Sequence, residues 1–201
     1  LSTQLAKVQY QSRLAESRQI LCDQYRVLSR LLQNLAEPSQ AQAEPDQYDP
    51  ELGFRATGLR GSNISGDYGA SFRAGEWYYL LLCDGMGSGE QARDEAVSAS
   101  ALLKELIESG IDAHDAMQTI NGLYILRDGG GFAAIDLLQV SLVTAEGFLH
   151  KWGAAPSFLK FGRTVQRLGS ALPPPGLGVG KSYGPECLRV SLQRGEALIL
   201  T

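Results

Sequence analysis

The stretch from Glu76 to Ala92, EWYYLLLCDGMGSGEQA, restricts the fold more than any other part of the chain. Residues 76–83 carry apolar groups at consecutive positions, so both faces of the segment must be covered, as in a central strand of a sheet. Cys83-Asp84-Gly85-Met86-Gly87-Ser88-Gly89 follows, and its three glycines let the backbone turn sharply. Ser88 and Gln91 have capping-box spacing, which predicts a helix opening at once after the turn. A buried strand, a carboxylate at its end and a capped helix therefore arrive as one unit.

The elements around this unit follow from periodicity and punctuation. Residues 53–60 and 65–73 alternate modestly and read as strands, the second joined to 76–83 by a short turn at Ala74-Gly75. The helix after Ser88 carries a stripe of Ala92, Ala96, Ala99, Leu103 and Leu106 and stops before Gly110. Asp112 caps a second helix that runs to about Arg127, with Ala113, Ala116, Ile120 and Leu123 on one face. Strands are predicted at 133–144, 147–152, 157–161, 164–168, 186–192 and 196–200, separated by short Gly turns. A meander of strands after a helical pair predicts an α+β fold, a sandwich of antiparallel sheets, rather than a doubly wound parallel sheet.

Residues 1–36 lack Gly and Pro and are rich in Gln, Arg, Leu and Ala, which predicts one long helix. Leu14, Leu21, Leu28 and Leu35 recur every seven residues, and Tyr25 and Leu32 fill the second seam position in the later heptads. Gln11 and Arg18 occupy the earlier seam positions, so both a dimerising or signal-carrying helix and a helix packed on its own domain stay open. Residues 37–52 have the proline-rich polar composition of a linker, and the globular domain is read as 53–201.

Charge and composition exclude several classes. The 201 residues carry 18 Lys and Arg against 22 Asp and Glu, a net charge of −4, so no basic field attracts nucleic acid. No apolar run approaches the roughly 20 residues that span a bilayer, and no signal peptide opens the chain. Three widely spaced cysteines, Cys22, Cys83 and Cys187, suit a reducing compartment better than a disulfide framework or a zinc site. The chain opens at Leu1 and stops within the apolar run Ala197–Thr201, so it is read as a piece of a longer polypeptide.

Asp84 is the leading candidate for chemistry, because a carboxylate at a strand end followed by small residues lets carbonyls and water approach a hard cation. If 65–73 and 76–83 form a hairpin, Asp67 of Ser65-Gly66-Asp67-Tyr68 lies at the same end. Asp136 sits among apolar neighbours in AAIDLL, and either supports the acidic site, anchors a neighbouring helix or faces solvent. A dinucleotide fingerprint would need a third Gly where Glu90 stands, and no acidic ribose partner follows. His114 and His150 lie outside every motif and read as surface or packing residues.

SGDYGASF, LLCDGMGSGEQA, GGFAAIDLL, WGAAPSFL and ALPPPGLGVG occur in that order over residues 53–201. Together they resemble the phosphatase domain of the stage II sporulation protein E family, a bacterial branch of the metal-dependent PPM-type serine/threonine phosphatases. The resemblance implies two central antiparallel sheets with outer helices and a binuclear Mn²⁺ or Mg²⁺ site. It assigns Asp84 as the bridging ligand, the Gly85 carbonyl as a further ligand, and Asp67 as a direct or water-mediated one. The implied reaction is attack of metal-activated water on a phosphoserine, the two helices after Asp84 acting as switch helices. Met86 stands where many eukaryotic relatives place a His, and Gly153-Ala154-Ala155-Pro156 replaces a Gly-Asp-Ser-Arg motif that supports a third metal.

The family's later Ser-Asp-Gly motif and final Asp are expected beyond Thr201, so residues 1–201 alone are expected to have little activity. The implied substrate is a phosphorylated regulatory protein such as an anti-sigma factor antagonist. The implied setting is a cytoplasmic domain joined by the first helix to a membrane region N-terminal to it, with homodimerisation through that helix. Two other readings stand beside the phosphatase: a pseudophosphatase serving as a regulated interaction module, and a mainly structural coiled-coil protein.

Overall fold

The computed structural model describes residues 2–36, 45–58, 64–127, 131–177 and 184–201. In chain order the elements are α1 (Ser2–Ala36), β1 (Asp67–Ala74), β2 (Trp77–Gly85), α2 (Gly89–Glu108), α3 (Ala113–Leu126), β3 (Ala133–Ser141), β4 (Glu146–Trp152), β5 (Ser157–Phe161), β6 (Thr164–Leu168), β7 (Glu186–Ser191) and β8 (Ala197–Ile199). They form a five-stranded sheet of order β1-β2-β3-β4-β7 and a three-stranded sheet of order β6-β5-β8, with every ladder antiparallel. The expected sandwich is present. Among the described residues its helices cover one side only.

Strand alternation divides the interior into two cores. One face of the large sheet, with Phe72, Tyr79, Leu81, Cys83, Ile135, Leu137 and Trp152, packs against Ala96, Ala99, Leu103 and Ile107 of α2 and Ala116, Met117 and Ile120 of α3. Phe72 and Tyr79 are register partners and stack at 5.0 Å with an interplanar angle of 8°. The other face, with Leu138, Val140, Leu149 and Val190, meets Leu168 and Leu198 of the small sheet. Each fully buried large aliphatic side chain contributes roughly 1.5–3 kcal/mol. The alanines of α2 bring that helix close to β1 and β2, which fixes the turn between β2 and α2.

Several boundaries differ from the sequence reading. Residues 53–58 form no strand, and positions 59 and 60 lie outside the described residues. The stretch from 45 instead lies along the domain: Arg73 makes a two-pronged pair with Asp46 at 2.5 and 2.7 Å, and the Gln47 and Tyr48 amides donate to the Leu142 carbonyl. The turn of the first hairpin is Gly75-Glu76 rather than Ala74-Gly75, with Gly75 at φ +60°. Ser88 holds the extended N-cap backbone of α2, but its side chain makes no capping bond, whereas Asp112 accepts from the Asp115 amide as a working cap of α3. β3 stops at Ser141 because its hydroxyl accepts from the Val143 and Thr144 amides and turns the chain.

Along α1 the side chains of 15, 17–33 are described. Val27 is buried, Leu31 partly so, and Ile20 lies against Gly122 of α3. Arg30 pairs with Asp112 and, at 2.5 Å, with Asp115. The heptad residues Leu21, Tyr25, Leu28 and Leu32 are instead 51–69% exposed, so the helix docks through a different stripe. Leu14 and Leu35 of the heptad series lie outside the described side chains.

His150 is 5% exposed on β4, and neither ring nitrogen has a partner among the described residues. Burial, reinforced by His114, pushes its imidazole down to about 4. The unfolded chain, titrating near 6.5, then binds a proton that the fold refuses between pH 6.5 and 4. Stability is therefore full above the upper value and falls by up to about 3 kcal/mol as pH drops to the lower one. We expect His150→Leu to hold its melting temperature across this window better than the wild type. Identical acid limbs in thermal melts from pH 7 to 4 would refute this account of His150.

Candidate functional site

The β1–β2 ladder places Asp67 directly opposite Asp84. Cross-strand partners point to the same face, so the two carboxylates meet at one end of the sheet. Ser65 donates its hydroxyl to Oδ2 of Asp67 at 2.9 Å, which aims that carboxylate. Arg93 of α2 donates to the Asp67 carbonyl at 2.5 Å and stacks on Tyr68 with 5.0 Å to the ring centroid. The helix that follows the turn thus reaches back to hold the strand that carries the second acid.

Gly85 and Gly66 shape the space between them. A Cβ on Gly85 would lie 1.8 Å from the Ala92 carbonyl oxygen, so only glycine allows α2 to start this close. The Gly85 amide donates to the Gly66 carbonyl at 3.2 Å, and the Met86 amide to the Phe132 carbonyl at 2.7 Å. A Cβ on Gly66 would stand 3.1 Å from the Gly85 carbonyl oxygen and 3.8 Å from Oδ1 of Asp84. Ala92 Cβ stands equally near at 3.1 Å, so a side chain at residue 66 would be crowded between α2 and the end of β2. Partial burial, and then the charge and contact of Asp67, push the Asp84 carboxyl above the usual carboxylate range.

Two hard-oxygen side chains held together against their repulsion fit a divalent cation. Asp67, Asp84 and Gly85 are thus the residues that the structure brings together. Among the described residues no third His, Cys, Asp or Glu completes a larger cluster. The site opens into a cavity of about 320 Å³ bounded by the turn after β2, the start of β3 and the segments around Gly153 and Pro174.

Asp136 lies on the same sheet face as Asp84, one strand over and opposite Leu82. It is 0% exposed on the sheet face turned toward the small sheet, so it neither faces solvent nor anchors the helices. Lys151, its register partner on β4, reaches its two carboxylate oxygens at 2.5 and 2.7 Å and donates to the Ser157 hydroxyl at 2.6 Å. Ser157 in turn donates to Asp136 at 3.0 Å. Burial raises the Asp136 carboxyl, while Lys151 and Ser157 oppose that shift. Sequence reading missed Lys151 and Ser157, which only strand register brings to Asp136, and Arg93, which carries no motif. His114 is exposed on α3, apart from the acidic pair.

Two face-packed antiparallel sheets, a helix pair on one side and a carboxylate pair at the end of the β1–β2 ladder define a domain of the PP2C phosphatase fold. Residues 74–201 match the family profile of Stage II sporulation protein E (SpoIIE). The chain belongs to that family. It is 32% identical over 142 residues to Stage II sporulation protein E of Bacillus subtilis (strain 168), spanning 70% of this chain but only 17% of the relative. The solved PP2C phosphatase domain with a regulatory-domain fragment of SpoIIE from Bacillus subtilis superposes with a TM-score of 0.61 at 32% identity, covering 72% of this chain and 42% of that one. RsbX in complex with magnesium shares the fold alone, with a TM-score of 0.52 at 17% identity over 71% of this chain and 68% of that one.

Lys151→Met leaves the Asp136 carboxylate buried without its counter-ion, and we expect it to destabilise the domain by about 3–5 kcal/mol. Pairing it with Asp136→Leu should recover most of that loss. Denaturant melts of the single and double variants check this, and a double variant no more stable than the single would contradict it.

Proposed function

We propose that this chain carries the core of a divalent-metal-dependent protein serine/threonine phosphatase acting on a phosphoserine of a regulatory protein, such as an anti-sigma factor antagonist. The observation that supports it best is the facing of Asp67 and Asp84 across one rung of the β1–β2 ladder. Asp84, the Gly85 carbonyl and Asp67 would hold Mn²⁺ or Mg²⁺, and acidic motifs beyond Thr201 would complete a binuclear site. Divalent cations bound there supply the Lewis acidity that activates water and neutralises phosphoryl charge. Ser65 keeps Asp67 oriented, and the Arg93 bond keeps its strand end in place. Met86 offers no proton at the position after Gly85, so the leaving serine takes its proton from water.

In this reading α2 and α3 are movable switch helices, and residues 1–201 by themselves turn over little. No described helix is long and apolar enough to cross a membrane. The domain is assigned to the cytoplasm, with α1 joining it to a membrane region of the whole protein. The exposed row Leu21, Tyr25, Leu28 and Leu32 supports a homodimer through α1. Sedimentation tests this: the chain should dimerise and Leu28→Arg should shift it to monomer, whereas an unchanged profile would remove α1 as the assembly device.

A second reading is a pseudophosphatase that serves as a regulated interaction module and binds its partner without turnover. The two readings separate in one assay on a polypeptide that continues past Thr201 with its natural sequence. Phosphate release from a phosphoserine protein should require Mn²⁺ and fall about 10³-fold or more in Asp84→Asn. Folded, metal-saturated protein that releases no phosphate would overturn the phosphatase and leave the binding module.

A further inference from the structure

The turn that carries Asp84 and Gly85 rests on Ala92 of α2, and the same stretch of that helix reaches both of its flanks. On the β1 side Arg93 donates to the Asp67 carbonyl. On the β3 side stands Glu95, the one charged residue among those that α2 buries. Positions two apart on a helix lie on nearly opposite sides of it, which is how these two side chains reach different strands. Glu95 is 9% exposed, and its Oε1 accepts from Nη1 of Arg127, the residue after α3, at 2.7 Å. Its Oε2 lies against Gly131, where a Cβ would stand 3.2 Å away. Arg127 lies over the ring of Tyr124 at 5.9 Å, and Tyr124 meets Phe132 edge-on with centroids 5.6 Å apart. Gly176 closes on both aromatic residues so tightly that a Cβ there would come 2.6 Å from each. The Phe132 carbonyl, held in this way, accepts from the Met86 amide at 2.7 Å.

We propose that Glu95 is a positioning residue for the acidic pair: through Arg127 and Gly131 it holds the segment whose carbonyl fixes Met86, and so sets where Asp84 stands against Asp67. The consequence for cation binding rests on the reading of Asp67 and Asp84 as ligands. Burying a carboxylate is costly, and the Arg127 side chain that answers it is 51% exposed, so the pair adds little net stability. What it supplies is a fixed position for the start of β3. Two carboxylates that repel across one rung drift apart unless the turn between them and the helix is held on both flanks. Arg93 holds the β1 flank and Glu95 the β3 flank. Without the Glu95–Arg127 bond the Met86 amide opens to water more often, and a cation must order the turn as it binds.

The test uses the full-length protein, with Mn²⁺ affinity read from the electron paramagnetic resonance signal of the free ion and the Met86 amide followed by residue-resolved hydrogen exchange. Glu95→Met and Arg127→Met each break the pair, their double variant asks whether the two act as one unit, and Arg127→Lys restores a cation. Val190→Ala, in the core between the two sheets, measures the effect of general destabilisation. Either single Met variant should weaken Mn²⁺ binding at least about tenfold. Exchange at Met86 should quicken at least about tenfold relative to the Leu80 amide in mid-β2. The double variant should be no worse than a single one, and Arg127→Lys should recover most of both effects. Val190→Ala should change neither. Unaltered Met86 exchange, additive losses, no recovery with Lys, or the same losses in Val190→Ala would overturn the positioning role. A wild type that takes up no Mn²⁺ would instead remove the cation reading, and the exchange at Met86 would then decide by itself whether Glu95 holds the turn.

Discussion

Two carboxylates that face one another across a single rung of an antiparallel ladder repel, and the fold holds Asp67 and Asp84 in that relation. The cost is visible in the raised Asp84 carboxyl, for which partial burial and the neighbouring acid are both responsible. Much of the domain is arranged so that neither acid can move away. The short Gly75-Glu76 turn sets the register of β1 on β2, the stacked Phe72 and Tyr79 lock it, and Arg93 holds the Asp67 main chain from α2. Gly85, which no other residue can replace without striking Ala92, lets the helix begin where it must to supply that arginine.

The same face of the large sheet carries a second polar commitment further along its strands. Asp136, Lys151 and Ser157 are all buried and satisfy one another between the two sheets. Such a triad adds little net stability over an apolar cluster, yet it punishes any packing that separates β3 and β4 from β5. Ser157 begins β5, and the Thr201 hydroxyl donates to the carbonyl of the preceding residue, Pro156, at 2.7 Å. The end of the described chain is thereby tied to the same junction. α1 joins the other side through Val27, Leu31 and Arg30, so the cap of α3 at Asp112 is shared with a long helix from outside the sandwich.

Much of this was legible in the sequence where the signal was local. The strand, turn and helix around Asp84 were read from consecutive apolar residues and spaced glycines, and a short turn put Asp67 and Asp84 near the same end of the hairpin. Their exact pairing depends on the turn falling at Gly75-Glu76, which the sequence reading set one residue too early. The stop of β3 at Ser141 was not, because a hydroxyl accepting from two later amides leaves no trace in hydrophobic periodicity. The partners of Asp136 were also hidden, since Lys151 lies 15 residues away and only strand pairing brings it close. The heptads of α1 were read as a seam, yet the face that packs on α3 is the neighbouring stripe with Ile20 and Val27. A hydrophobic repeat reports that a face needs covering and does not report which surface covers it.

The account's central claim is that Asp67 and Asp84 act together as a cation site. Its most direct test is a Mn²⁺ titration of the full-length protein at neutral pH, followed by the electron paramagnetic resonance signal of the free ion. The account predicts that the wild type removes Mn²⁺ from solution and that Asp67→Asn and Asp84→Asn each weaken this binding by at least about tenfold. Mn²⁺ uptake that is the same in both variants as in the wild type would contradict it.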